Sequence, residues 1–430
     1  MADEETIRQR IEVRISQGEF LAGMLHVAAR GSAKAQQNYI DRLSEIATAV
    51  RGILDGNGLI GSLAYQPDRY WKRLHGQSIA FLDGGVANID LPSAAPIGIR
   101  VGSYVVRPGE TDQAKREQFN IELSIVDELY SDDAALYDDD FLDVAKLRDA
   151  ARIVAETSAA WHLANDPDGP DEILLHGPLI NPAAPYGLED FPAYELKACR
   201  SFLAEEKWNG GEDDRHFVAL YLELLDRLKA SQKPVCGVVE RSIGKDPVVM
   251  RSILNRLLEQ DAIKKADARD LLTKLAVYTL NDAAILDVVL QAGEYVGPVP
   301  VMRQGPENKW PDRWKAWIRA YPDAFTAYLK PSELATPFRV EMFEDALNPK
   351  RTLELILHTS RLLPSYGFPV GLDIVDKYAK VPEWMSRGIR GQHQVLLLKK
   401  ALASGDPRAI SFAKRVLATK GRDWFFRPTA

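Results

Sequence analysis

The fold is decided by residues 78–108, SIAFLDGGVANIDLPSAAPIGIRVGSYVVRP, which contain two successive runs of apolar residues. The first run, Ser78–Asp90, is interrupted by two glycines. The second, Pro96–Pro108, alternates and is rich in β-branched residues. Such runs are typical of β-strands, so we expect the two to pair as a hairpin that forms an antiparallel side of a sheet.

Strands and helices alternate in the rest of the chain. The apolar runs Asp171–Pro182 and Pro234–Ser242 predict two buried strands, and further strands are expected at 325–330 and 337–342. Periodic apolar residues predict helices over the first 60 residues, at 142–164, 214–229, 247–291 and 349–361, and from Leu372 onward. This alternation predicts an α/β fold with a mixed sheet flanked by helices.

Composition excludes several classes of protein. The hydrophobic fraction of 46% and the charged fraction of 27% are ordinary for a globular protein and exclude a disordered or collagen-like chain. No run approaches the length of a membrane span, and the charged N-terminus predicts no signal peptide. The two cysteines are far apart, which argues against a disulfide framework or a cysteine-rich zinc site. The expected compartment is the cytoplasm.

The net charge of −7 hides a strong asymmetry. Residues 127–143 contain eight acids and no base, which predicts a solvated loop or a frayed helix start. Residues 377–430 contain 12 lysines and arginines against three acids. Such a basic region either binds phosphate locally or solvates C-terminal helices, and the composition does not decide between the two.

Carboxylates stand at points where a rigid site could form. Asp83 ends the first strand and is followed by glycines that let a ligand approach the backbone, although strand-Asp-Gly turns are also common structural features. Glu156 lies in a helix that is apolar over most of its circumference, where a carboxylate is costly unless it is paired or bound to a metal. Asp376 opens a late helix in YGFPVGLDIVDKYAK. This order is found in ribonuclease-H-like nucleases, in which such acids bind two divalent ions.

The chain resembles the NurA nuclease family over about residues 80–380. The matching segments are FLDGGVA, IRVGSYVV, the helix around Glu156, LLHGPLINP, CGVVERS, LNDAAILDVVLQAGEYVGPVPV, YLKPSELATPFRVEM and YGFPVGLDIVDKYAKVP. Each is weak alone, and their order makes the resemblance specific. It implies a ribonuclease-H-like core and a dimeric Mn²⁺- or Mg²⁺-dependent DNA nuclease. It also implies a HerA-type hexameric ATPase as partner, in DNA end processing or phage defence.

The resemblance also implies site residues. Asp83 and Glu156 match metal ligands, Asp376 matches an acidic or histidine position that opens the late helix, and Tyr366 matches an aromatic residue just before it, which we assign to DNA binding. At two positions the chain departs from the family pattern. His176 stands where the family has an aspartate, and Glu240 stands where the family often has a lysine.

These departures leave two functions open. Mn²⁺ accepts an imidazole ligand better than Mg²⁺ does, so a centre containing Asp83, Glu156 and His176, supported by Glu240 and Asp376, predicts an active nuclease. The alternative is a decayed site in a catalytically silent adaptor that docks on the ATPase and regulates it.

Two arginines are candidate DNA contacts. Arg339 and Glu341 fit a strand whose polar face carries an ion pair, and Arg339 alternatively contacts a DNA phosphate. Arg100 flanks a strand, where it could touch phosphate or lie exposed at an edge. The tryptophans at 310, 314 and 317 have helical spacing, which favours packing over base stacking.

The sequence predicts three domains. They are a helical arm at 1–60, a NurA-like domain at 61–380 with a helical and β insertion at about 247–345, and a basic helical extension at 381–430.

Overall fold

The computed structural model describes residues 4–87, 96–128, 141–181, 217–240, 247–278, 280–301, 312–344, 348–363 and 366–418. Most of the predicted acidic loop and the tryptophan at position 310 lie outside these ranges. The α/β class is confirmed, because a mixed sheet is flanked by helices.

The helices and strands follow the predicted alternation. The described helices are Glu4–Gly56 (α1), Pro67–Arg73 (α2), Gln113–Arg116 (α3), Phe141–Asn165 (α4), Phe217–Ala230 (α5), Val248–Glu259 (α6), Lys265–Tyr278 (α7), Asp282–Val289 (α8), Asp312–Ala320 (α9), Pro349–Ser360 (α10), Val370–Ala379 (α11), Glu383–Ser404 (α12) and Pro407–Ala418 (α13). The described strands are Ile60–Ser62 (β1), Ile79–Val86 (β2), Pro96–Val106 (β3), Glu117–Glu128 (β4), Glu172–His176 (β5), Val235–Val239 (β6), Glu294–Pro300 (β7), Ala324–Leu329 (β8) and Phe338–Phe343 (β9).

Nine described strands form one sheet in the order β1-β7-β8-β9-β6-β5-β2-β3-β4. The predicted hairpin is confirmed, since β2 and β3 pair antiparallel from Ile79 opposite Val106 to Val86 opposite Ile99. On the other side of β2, strands β5 and β6 run parallel to it and to each other. An antiparallel β2-β3-β4 meander followed by parallel β5 and β6 is the strand arrangement of a ribonuclease-H-like core.

The sheet extends beyond that core. Strands β9, β8 and β7 continue antiparallel from β6, and the predicted strands at 325–330 and 337–342 correspond to β8 and β9. The sequence left β7 unassigned, and proline at positions 298 and 300 weakens its strand pattern.

Helices cover both faces of the sheet. On one face, which we call the α4 layer, helices α4 and α5 pack on Ala80, Leu82 and Ile173. On the other face, the α11 layer, helices α10 and α11 pack on Phe81 and Leu174. Side chains alternate between the faces of a strand, so neighbouring residues of β2 belong to different layers.

Contacts group the chain into two compact units, and the three predicted domains stay a prediction. One comprises residues 1–60 and 244–290, and the other residues 61–243 and 291–430. In the first, the buried carboxylate of Asp282 accepts hydrogen bonds from the backbone N–H groups of Val249 and Met250, which caps the start of α6. Strands β7 to β9, which the predicted insertion included, belong to the sheet of the second unit.

Among the described residues, no helix is both long and apolar enough to span a membrane.

Candidate metal centre

Asp83 and His176 lie side by side where the parallel pairing of β2 with β5 ends. Contrary to the sequence prediction, Asp83 does not end its strand, because β2 continues to Val86 through its pairing with β3. In the register of β2 with β5, Leu82 lies opposite Leu175, so the next residue of each strand is also adjacent. Asp83 continues the series of Ile79 and Phe81, whose side chains face the α11 layer. His176 likewise follows Leu174, which faces the same layer. Both side chains therefore emerge on the face covered by α11.

A direct hydrogen bond joins these two side chains. His176 Nδ1 lies 3.0 Å from Asp83 Oδ2, and Asp83 is only 5% exposed. Phe368 meets the imidazole edge to face at 5.6 Å between ring centroids and restricts its orientation. Burial works to lower the pKa of His176, but the hydrogen bond and charge of Asp83, with the charges of Asp376 and Glu156, outweigh it and raise this pKa.

Helix α11 supplies a third group, Asp376, which lies in the second half of the helix and does not open it as the sequence predicted. Ligand atoms of Asp83, His176 and Asp376 all lie within 4.8 Å of one another, and this is a geometry in which one cation can contact all three. Two carboxylates and one imidazole form an oxygen-rich set, which suits Mn²⁺ better than a soft metal. The residues present therefore fit a divalent ion.

Glycines allow α11 to lie close to the sheet. A Cβ atom at Gly85 would collide with the backbone carbonyl of Ala379, and one at Gly371 would collide with the Phe81 ring. A Cβ atom at Gly102 would lie 2.9 Å from the Tyr378 ring. These contacts fix the height of α11 above β2 and β3, and so the position of Asp376.

Glu156 approaches the same strand end from the α4 layer. A Cβ atom at Gly84 would lie 2.6 Å from Glu156 Oε1, so the missing side chain makes room for this carboxylate. Glu156 pairs with Arg152 at 2.5 Å and is not one of the three grouped ligands. Burial raises the pKa of Glu156 to about 7, Arg152 opposes this effect, and Asp83 adds to it. The role of Glu156 as a metal ligand stays a prediction.

Lys380 also lies at the centre. Its Nζ atom is 2.5 Å from Asp376 Oδ2, and this hydrogen bond raises the pKa of the lysine. The lysine side chain is 66% exposed, so it can leave Asp376 without creating a buried charge.

Glu240 and Tyr366 lie outside the group of three. Glu240 is exposed just after β6. Tyr366 donates a hydrogen bond to Asp373, and burial, this bond and the charges of Asp373, Glu240 and Asp376 together raise its pKa to about 12. The catalytic role of Glu240 and the DNA contact of Tyr366 remain predictions.

The two candidate DNA-binding arginines have partners within the protein. Arg339 Nε lies 3.0 Å from Oε1 of the buried Glu341, as expected for the ion-pair interpretation of this strand. The guanidinium of Arg100 lies 4.8 Å from the centre of the Tyr378 ring, which is a cation–π contact on α11. A phosphate contact by either arginine remains a prediction.

The sequence interpretation missed Arg152 and Lys380. Each stands four residues from a candidate acid, which the sequence shows: Arg152 precedes Glu156 in α4, and Lys380, the C-cap residue of α11, follows Asp376. Residues at this spacing are neighbours on a helix surface, so both pairs could have been proposed in advance.

The strand arrangement and the clustered ligands define an α/β protein with a ribonuclease-H-like core and a candidate divalent-metal centre. The family model described as the NurA domain matches residues 77–381, and the chain belongs to the NurA domain family.

Solved structures of the family are similar to the chain over most of their length. The NurA nuclease from Sulfolobus solfataricus is 14% identical, with a TM-score of 0.47, and the similarity covers 87% of this chain and 97% of that one. A structure of NurA with manganese is 14% identical, with a TM-score of 0.40 and coverage of 86% and 97%. A NurA bound to dAMP and manganese is 15% identical, with a TM-score of 0.37 and coverage of 82% and 94%. No curated protein matches the sequence significantly.

Proposed function

We propose that the chain is a manganese-dependent deoxyribonuclease that hydrolyses phosphodiester bonds at DNA ends or in single strands. The observation that carries this proposal is the convergence of Asp83, His176 and Asp376 within 4.8 Å. Membership of the NurA family, whose resemblance implies nuclease activity, supports the same reaction. Mg²⁺ is the alternative ion.

The residues of the centre have three tasks in this reaction: they hold the ion, accept a proton from water and orient the imidazole. Asp83, His176 and Asp376 would hold the ion, which when bound would supply Lewis acidity toward a phosphate oxygen and toward a nucleophilic water. Glu156, whose pKa is raised to about 7 by burial, is suited to accept a proton from water at Oε2 near neutral pH, because Oε1 bonds Arg152. Phe368 and Asp83 hold the imidazole in one orientation.

The proposed biological setting follows from the family resemblance. The chain would act as a homodimer in the cytoplasm with a HerA-type hexameric ATPase, in DNA end processing or phage defence. Arg339, Arg100 and Tyr366 would contact DNA, and Glu240 would support the catalytic centre. Co-purification with the ATPase and sizing of the complex test this setting independently of the chemistry.

Degradation of linear DNA with and without Mn²⁺ tests the activity. We expect Asp83→Asn to lower the rate at least 100-fold, because it removes a charged ligand that two other groups cannot replace. Asp68→Asn is the matched control, since Asp68 is an exposed aspartate in the first turn of α2. Equal rates for the wild type and Asp83→Asn would refute the proposal.

A catalytically silent adaptor is the second candidate. The observation that favours it is that Arg152 and Lys380 already pair with Glu156 and Asp376 within the protein. An adaptor would form a stable complex with the ATPase but bind no Mn²⁺. Calorimetric titration with Mn²⁺ separates the two functions, because three converging ligands predict micromolar binding and an adaptor predicts none.

A further inference from the structure

Arg152 is held at the centre by carboxylates of its own helix. Its Nη1 atom lies 2.5 Å from Glu156 Oε1, and its Nε and Nη2 atoms lie 3.3 and 3.2 Å from Asp149 Oδ1. The Arg152 side chain is 25% exposed and that of Glu156 is 13% exposed, so the pair is largely shielded from water. The position of this guanidinium is therefore set by groups that belong to α4.

The two layers bring two sets of candidate ligands to the centre. The first is the group of Asp83, His176 and Asp376 on the α11 side of the strand ends. The second is the Glu156 carboxylate, which reaches the strand end from the α4 side through the space beside Gly84. In this second position a guanidinium is already bonded to the carboxylate.

A metal ion and a guanidinium compete for the same carboxylate. Two cations bonded to one buried carboxylate repel each other, and this repulsion is weakly screened away from water. Arginine stays protonated under all ordinary conditions, so the competition is not relieved by a change of pH. A second ion at Glu156 would have to bind Oε2 directly beside the guanidinium that is held on Oε1.

We propose that Arg152 takes the place of a second divalent cation, so that the centre of this chain holds one ion, on Asp83, His176 and Asp376. Arg152 is thus a positioning residue, which neutralises Glu156 and fixes its carboxylate beside Asp83. The inference rests on the proposed function only for the existence of the first ion.

The number of Mn²⁺ ions bound per chain tests the inference without reference to catalysis. Calorimetry and electron paramagnetic resonance of the full chain at mildly alkaline pH count the ions for four proteins: wild type, Arg152→Gln, Arg152→Lys and Arg227→Gln. Arg227 is the matched control, because it forms an i,i+4 pair with Glu223 on α5, with 2.7 Å between Nε and Oε1.

We expect one ion per chain in the wild type, in Arg227→Gln and in Arg152→Lys, where the charge is kept. We expect two in Arg152→Gln, because Glu156 becomes available beside Asp83. Two ions in the wild type would overturn the inference and leave the proposed function intact. One ion in a folded Arg152→Gln would also overturn it. No ion in the wild type would refute the proposed function together with the inference. If Arg152→Gln fails to fold, the wild-type count alone decides.

Discussion

The two ends of strand β5 show two different uses of a charged pair. At its first residue, Glu172 is only 3% exposed and its Oε1 atom bonds Arg351 Nε at 2.7 Å. At its last residue, His176 meets Asp83 and lies within 4.8 Å of Asp376. The strand is five residues long, so the two clusters share one rigid support.

The two clusters differ in which element supplies the positive charge that pairs with the carboxylate. Arg351 belongs to α10, so its bond to Glu172 joins a helix to the sheet. At the other end the candidate metal ligands come from three elements, whereas the lysine bonded to Asp376 is the C-cap residue of the same helix and is mostly exposed. A pair between elements stabilises the fold. A pair within one helix can open without unfolding anything, which leaves Asp376 accessible to an ion.

The largest expected effect comes from removing the Glu172–Arg351 pair at the first residue of β5. Arg351→Met should destabilise the protein by about 2 kcal/mol, because it leaves the buried Glu172 carboxylate without its partner, although the arginine itself is 42% exposed. Arg351 also donates to Gln77 Oε1 at 2.9 Å, and this bond is lost too. Urea denaturation monitored by circular dichroism measures the change.

Arg73→Met is the matched control for that measurement. Arg73 pairs with Glu354 at 2.6 Å, but its side chain is 56% exposed, so the pair should contribute less than about 1 kcal/mol. Equal urea midpoints for Arg351→Met and the wild type would show that the Glu172–Arg351 pair does not stabilise the fold.

The second expected effect concerns His176, at the last residue of β5. His176→Asp should tighten Mg²⁺ binding about tenfold relative to Mn²⁺, because it exchanges a nitrogen ligand for a harder oxygen ligand and adds a negative charge. Competition titrations with the two ions measure the ratio. His162→Asp is the control, since His162 is exposed on α4. An unchanged ratio would mean that the imidazole does not ligate the ion.

Much of the fold was predictable because local patterns determined it. The glycine-interrupted run Ser78–Asp90 and the alternating run after it were sufficient to predict the β2–β3 hairpin. Strand β7 escaped prediction because prolines stand at positions 298 and 300. The membership of residues 244–290 in one unit with the N-terminal helix depends on contacts between distant segments, which no local pattern contains.

The candidate site was predictable only in part. The adjacency of Asp83 and His176 follows from the parallel pairing of β2 with β5. The separation of Glu156 from them depends on which layer each side chain faces, and a sequence pattern does not say on which face of the sheet a helix packs. For the same reason, the spacing of Arg152 and Glu156 identifies a pair but not its position beside Gly84.

The third prediction tests whether the Lys380 ammonium group can leave Asp376 when an ion binds. Lys380→Met should tighten Mn²⁺ binding about fivefold, because the ion no longer competes with the ammonium group for Asp376. Lys377→Met is a closely matched control, since Lys377 bonds Asp373 at 2.5 Å with the same spacing on the same helix. Equal tightening in both variants would indicate a general charge effect rather than competition at Asp376.

The smallest expected effect concerns two histidines. His176 belongs to the candidate metal centre, and His358 lies on the helix that supplies the partner of Glu172. Whereas the carboxylates raise the pKa of His176, burial lowers the pKa of His358, and Arg73 and Arg361 add to this effect against Glu354. His358 lies on α10, as Arg351 does, and stacks on Tyr70 with 3.8 Å between ring centroids. Its Nε2 atom accepts from the backbone N–H of Gln66, and Nδ1–H donates to the Glu354 carbonyl. These bonds require the neutral ring.

Protonation of His358 should therefore weaken the fold. The pKa is lower in the folded than in the unfolded chain, so the unfolded chain takes up the proton first as the pH falls below the usual value of 6.5. Stability due to neutral His358 is complete above that pH and is lost below it. His358→Phe keeps the stacking and removes the titration, at a cost of about 1 kcal/mol for the two lost hydrogen bonds at neutral pH. Urea midpoints at neutral and mildly acidic pH should fall less in this variant than in the wild type. An equal fall would show that His358 does not titrate with folding.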